Sequence, residues 1–197
     1  MSAGKDYLSL PLRTFWADLA SRSPTPGGGS VAASVGATAA SLGCMVVEYT
    51  IGKPRFAEHE SRLQSILAEL KAAAETFGRL MAADMEAYGA VVAARKLDAV
   101  AQAQANAKAL AVPMEIVALA AQVAALLDEL GPITNPQLNG DLRISLILAV
   151  ATADSAATLV RDNLPNLSNE AQAAEFRDQL DNYLTQIVGY RSKTATV

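Results

Sequence analysis

The chain has 197 residues with 20 acidic and 16 basic side chains, a formal net charge of -4 and a pI near 5.0. That length fits one domain over 1–197 with a sizeable core, and the acidic balance gives no basic footprint for nucleic acid. The single cysteine, Cys44, excludes an internal disulfide framework and fits a reduced compartment.

Alanine-rich stretches with few β-branched alternations predict an all-α fold, a bundle of about six helices. Met1 to Asp6 is polar and has no apolar stretch like that of a secretory leader, so a cytoplasmic location is expected. The first helix is predicted from about Leu8 to Ala20, with Leu8, Leu12, Phe15, Trp16 and Leu19 on one face. Then comes Pro24-Thr25-Pro26-Gly27-Gly28-Gly29-Ser30. Three successive glycines lose much backbone entropy on folding, so they mark positive φ or a close approach to the main chain. Ser30 is the expected N-cap of a second helix. The uncharged run Val31 to Val47 places Ala33, Ala37, Ala40, Ser41 and Cys44 at helical steps beside Gly36 and Gly43. Such a face packs close to its neighbours, and its first turn offers free N–H groups and a positive dipole end to an anion. The same features also fit a tight turn feeding a buried helix. The run is shorter than the roughly 20 residues a bilayer needs and is rich in Ala, Gly and Ser, which favours a core helix over a membrane span.

After the break at Thr50, Gly52, Lys53 and Pro54, a third helix is predicted over about Ala57 to Lys96. At 1.5 Å per residue it would be about 60 Å long, more than a compact domain of this size spans, so self-association of the bundle is expected. Leu63, Leu70, Phe77, Asp84 and Val91 recur every seven residues along it. Asp84 thus holds a seam position where the pattern wants an apolar side chain. Such a carboxylate is paired, hydrogen-bonded or wet, and burial pushes its pKa toward neutrality, which makes a general acid or base. A structural ion pair or a polar pin of register explains the position equally well. His59, between Glu58 and Glu60, has no second ligand at metal spacing, so no metal site is expected.

A fourth helix, Asp98 to Leu130, carries Pro113 and with it an expected kink. The turn-rich segment Gly131 to Asp141 leads to a fifth helix, Leu142 to about Asn163, which Asp141 is placed to cap. The last helix is expected from about Asn169 to Tyr190.

The segments Pro24 to Ala33, Met45-Val46-Val47, Thr50-Ile51-Gly52-Lys53, and Asp84 with Ala87-Tyr88 resemble the formimidoyltetrahydrofolate cyclodeaminase and methenyltetrahydrofolate cyclohydrolase family. Val112-Pro113, Asn135, Asp141 and Asn163-Leu164 are similar to its later landmarks. The resemblance implies an all-helical homodimer with a tetrahydrofolate derivative as substrate and no permanently bound cofactor. The implied reaction is hydrolysis of the 5,10-methenyl bridge, or closure of a formimino group with loss of ammonia. A noncatalytic helical dimer that binds a small anion is the competing reading. By the same resemblance Gly27, Gly28, Gly29 and Ser30 contact the folate, Lys53 meets an anionic group, Asp84 is the proton-transfer carboxylate with Asp141 the second catalytic residue, and Asn135 and Asn163 bind substrate. The sequence departs from the family in the short connection Ala94 to Ala99, in Gly140 where a serine is usual, and in Leu159 where an asparagine is usual.

Overall fold

The structure is a computed structural model that describes residues 5–195, with side chains to 193. Among the described residues there are six α-helices and no strand: α1 Leu12–Leu19, α2 Gly28–Glu48, α3 Glu60–Ala94, α4 Ala99–Leu130, α5 Asn139–Asn163 and α6 Glu170–Ala195. The predicted first helix is split, with a 3-10 turn over Tyr7–Ser9 before α1. Pro54–His59 is likewise a 3-10 turn before α3. Asp98 caps α4 by accepting from the Ala101 N–H at 2.8 Å. The helix α5 begins at Asn139, so Asp141 lies in its first turn and not at the cap.

Four long helices form the core, with α2 and α4 each packed on both α3 and α5; α6 lies across α4 and α5. The register of α2 on α3 follows from glycine. Gly29, Gly36 and Gly43 repeat every seven residues on α2, and Asp84, Phe77 and Leu70 repeat every seven in the reverse sense on α3. A Cβ on Gly36 would lie 2.6 Å from the Phe77 ring, and one on Gly43 would lie 2.6 Å from Leu127 and 3.1 Å from Leu70. A Cβ on Gly29 would lie 2.0 Å from Asp84 Oδ1. The bulky knobs of α3 therefore sit in holes that exist only because α2 lacks side chains there.

Buried hydroxyls fix the remaining layers. Ser145 donates to the Ala39 carbonyl at 2.6 Å and ties α5 to α2. Thr50 donates to the Val46 carbonyl at 2.8 Å and lies 2.8 Å from the Thr134 hydroxyl, which joins the end of α2 to the segment before α5. The expected apolar face of the first helix turns mostly to solvent: Phe15 is buried, whereas Leu8, Leu12 and Trp16 are more than half exposed. Three stretches, Gly28–Glu48, Ala99–Ile133 and Pro136–Asn166, are long and apolar enough to cross a bilayer, and half to two-thirds of each is buried in the bundle. The run Val31 to Val47 is thus part of a longer helix than its own length indicates.

The glycine holes give a stability test. Gly36→Ala should destabilise the protein by about 1–3 kcal/mol through overpacking against Phe77. Gly89, on α3, has nothing within 4 Å of an added Cβ, and Gly89→Ala should stabilise by about 0.5–1 kcal/mol. Urea melts of the two variants check both signs.

Candidate active site

The N-terminus of α2 and the middle of α3 build the first cluster. Gly27 is the N-cap of α2 and has no side chain to cap it, so Ser30 is the third helical residue and not the cap. The capping acceptor comes from α3. Asp84 Oδ2 takes the Ser30 N–H at 2.9 Å and the Ser30 hydroxyl at 2.9 Å. Its other oxygen, Oδ1, lies against the bare Cα of Gly29. One glycine is thus required by close approach, and the helix N-terminus is satisfied by a carboxylate far away in sequence.

Burial pushes the Asp84 carboxyl above the usual aspartate range, while the two Ser30 hydrogen bonds pull it down; the net direction is up. The Ser30 hydroxyl also lies 3.2 Å from the Met81 carbonyl. With one hydrogen to give, it points at Asp84 when Oδ2 is free to accept and turns to Met81 when Oδ2 itself carries the proton. That rotor accommodates both protonation states. No ion pair to Asp84 occurs among the described residues, so hydrogen bonding, not a structural ion pair, answers the seam carboxylate.

At the same end, α5 supplies Leu159, whose methyls stand 3.7 and 3.9 Å from the position of a Cβ on Gly28. One turn later, Asn163 donates its Nδ2 to the Ala109 carbonyl at 3.2 Å. The proline of α4 explains this bond. Pro113 has no N–H, so the carbonyl four residues earlier, that of Ala109, lacks its helical donor. Asn163 supplies the missing donor and pins α5 to α4.

The other expected site residues lie at the far end of α2. Lys53 is exposed at the start of the Pro54–His59 turn, after Gly52, whose φ of 75 needs a glycine. Asn135 accepts from the Gln137 N–H at 3.3 Å and donates its own N–H to Thr50 Oγ1 at 3.3 Å. Asp141 is half-buried in the first turn of α5. The 21 residues of α2 span about 30 Å. Gly27 to Ser30, Asp84 and Asn163 therefore form one group, and Lys53, Asn135 and Asp141 form another. Two surface hollows, of about 370 Å³ beside Glu115 and Tyr183 and about 440 Å³ beside Arg161 and Arg177, do not include Asp84. Among the described residues no cluster of three His, Cys, Asp or Glu side chains is placed to hold a metal.

Residues 11–182 match the formiminotransferase-cyclodeaminase family over most of the chain. The chain belongs to that family. The cyclodeaminase-family fold is shared with the crystal structure of formiminotetrahydrofolate cyclodeaminase from Thermotoga maritima, at 29% identity and a TM-score of 0.92, covering 95% of this chain and 94% of that one. A methenyltetrahydrofolate cyclohydrolase of Methylorubrum extorquens is 32% identical over 89% of each chain. The formimidoyltransferase-cyclodeaminase of Sus scrofa is 29% identical over 92% of this chain, which spans 36% of that protein's length.

Two local predictions follow from the packing. Asn163→Ala should cost about 1–3 kcal/mol by leaving the Ala109 carbonyl unpaired. Adding Pro113→Ala, which restores the helical N–H, should recover part of that loss in a double-mutant cycle of urea melts. For Asp84, the folded pKa is raised, so the stability linked to its protonated form is present at low pH and lost as pH rises through the folded value. The stability of wild type relative to Asp84→Asn should therefore fall between acid and neutral pH, as measured by denaturant titration at each pH.

Proposed function

We infer that this chain hydrolyses 5,10-methenyltetrahydrofolate to 10-formyltetrahydrofolate, as a homodimer in the cytoplasm, with no part for nucleic acid or membrane. The observation that carries the reading is Asp84, a half-buried carboxylate with raised pKa, held on one oxygen by Ser30 and with the other against Gly29. It stands in a chain whose relative of similar length is a methenyltetrahydrofolate cyclohydrolase. A reduced compartment suits the lone Cys44.

The chemistry asks for a group that takes a proton and gives one back. Water attacks the cationic methenyl carbon, and Asp84 accepts the proton that water loses, giving a neutral tetrahedral carbon bonded to N5, N10 and a hydroxyl. The carbon–N5 bond then breaks as the hydroxyl becomes the formyl carbonyl and releases its proton; Asp84 returns its own proton to N5. The net products are the N10-formyl compound and one proton. An ionised Asp84 also favours the cationic carbon beside it. The raised pKa brings the carboxyl nearer the working pH, where a group serves best as both base and acid.

Cyclodeamination needs the same carboxyl, with the proton going to the departing amine. The Thermotoga structure, a formiminotetrahydrofolate cyclodeaminase, keeps that as the second reading. Leu159, where the family resemblance expects an asparagine, gives this end of the site an apolar side chain over Gly28.

Asp84→Asn should lower kcat/KM for methenyl hydrolysis by about 100-fold or more, the usual contribution of a positioned general base. The measurement is the loss of methenyltetrahydrofolate absorbance with the uncatalysed rate subtracted. Wild-type kcat/KM should rise with pH through the raised Asp84 pKa, since the base form is the reactive one. Equal rates for wild type and Asp84→Asn would remove Asp84 from the mechanism, and no turnover by wild type would remove the cyclohydrolase reading.

A further inference from the structure

Resting on the reading above, we propose that Ser30 is the positioning residue of the proton transfer: its main-chain N–H and its hydroxyl together hold Asp84 Oδ2, and Oδ1 is the oxygen that exchanges the proton with the folate. The resemblance marks Ser30 as a folate contact, but its side chain is fully buried and spent on Asp84 and Met81. It therefore acts on a substrate through Asp84.

Both Ser30 bonds end on the same oxygen, each at 2.9 Å from Oδ2. A carboxylate oxygen has two lone pairs, and here both are taken. A proton placed on Oδ2 displaces the Ser30 hydroxyl, whereas a proton on Oδ1 displaces nothing. Oδ1 is also the oxygen that solvent reaches. No buried side-chain oxygen among the described residues lacks a hydrogen-bond partner, and neither Ser30 bond goes to Oδ1. The missing side chain of Gly29 leaves the space in which Oδ1 stands. In the hydrolysis the carbon–oxygen bond forms as the proton of water passes to Oδ1, and the proton leaves Oδ1 for N5 as the carbon–N5 bond breaks. Oδ2 stays bonded to Ser30 throughout, so the carboxyl keeps one orientation for both transfers.

No charge competes with Ser30 for control of Asp84. On α2 there is none from Gly28 to Val47. Lys108 of α4 and Glu86 of α3 are exposed and lie 4.0 Å from each other. Arg79 of α3 donates to Thr76, and Arg161 and Asp162 at the end of α5 are exposed. Burial and the two Ser30 bonds alone shift the carboxyl.

The test is the titration of Asp84, read without folate by carbon-13 NMR of carboxyl-labelled aspartate and assigned by the resonance missing from Asp84→Asn. Ser30→Ala removes a hydrogen bond that favours the ionised form, so the midpoint should rise. Ser30→Cys keeps the size of the side chain with a weaker donor; its midpoint should fall between the other two, and it carries the test if Ser30→Ala does not fold. Loosened packing does the opposite, since water readmitted to the carboxyl lowers its midpoint. The pH profile of kcat/KM for methenyl hydrolysis should follow. Below the wild-type rising limb Ser30→Ala should lose about tenfold or more, the worth of a hydrogen bond to a charged group, and at alkaline pH the loss should largely disappear. A midpoint in the Ser30 variants equal to or below that of wild type, or a loss of activity equal at every pH, overturns the proposal. A raised midpoint with no folate turnover by wild type would support the control of Asp84 by Ser30 and refute the cyclohydrolase reading instead.

Discussion

The contact between Asp84 and the start of α2 is the constraint on which the rest of the molecule depends. A helix without a capping side chain receives its cap from another helix, and it does so only because Gly29 leaves room for a carboxylate. That contact is one step of a repeated packing device. Phe77 enters the next glycine position of α2 as Asp84 enters the first, and Leu127 of α4 fills the third together with Leu70. The seam thus carries apolar knobs through the core and ends in an ionisable one where the core meets solvent. The same close packing that stabilises the bundle strips water from the carboxyl and raises its pKa.

The second constraint runs through α4. A proline inside a helix leaves a carbonyl without its donor, and here that carbonyl is used as the anchor for the end of α5. Asn163 therefore supports the site from behind, fixing the turn of α5 that carries Leu159 over Gly28. Its amide nitrogen is spent on the backbone of α4, which separates its role from that of Ser30 and Asp84. Fold and site share their parts: Pro113, Asn163 and Gly29 each look like local anomalies in sequence and each resolves into a contact between distant elements.

An acidic, one-carbon chemistry needs little more from the protein than a proton carrier in a partly dry place and a surface to hold the rest of the substrate. The pair Ser30 and Asp84 has the features of the first, a half-buried carboxylate held by two hydrogen bonds. The remaining site candidates sit at the opposite end of α2 around the buried Thr50 and Thr134 hydroxyls.

Much of this was legible in the chain itself. Alanine-rich periodicity, glycine and proline breaks, and the heptad through Leu63, Leu70, Phe77 and Asp84 determined an all-α bundle, its helix order and the unusual place of one carboxylate, since these are properties of local spacing. The family resemblance marked Gly27 to Ser30, Lys53, Asn135, Asp141 and Asn163 as a set. Only the tertiary structure decided how that set is divided. Ser30 reads as an N-cap and Asp141 as another, yet Gly27 begins α2 and Asn139 begins α5, because helix ends shift by a residue or more with the partners they find. That Phe77 fills the space left by Gly36, that Asn163 answers Pro113, and that the candidate site residues lie at two ends of one helix all depend on which helix faces which. Spacing along a chain fixes faces and lengths; the pairing of faces is set by packing, and it is the pairing that half-buries Asp84 and raises its pKa.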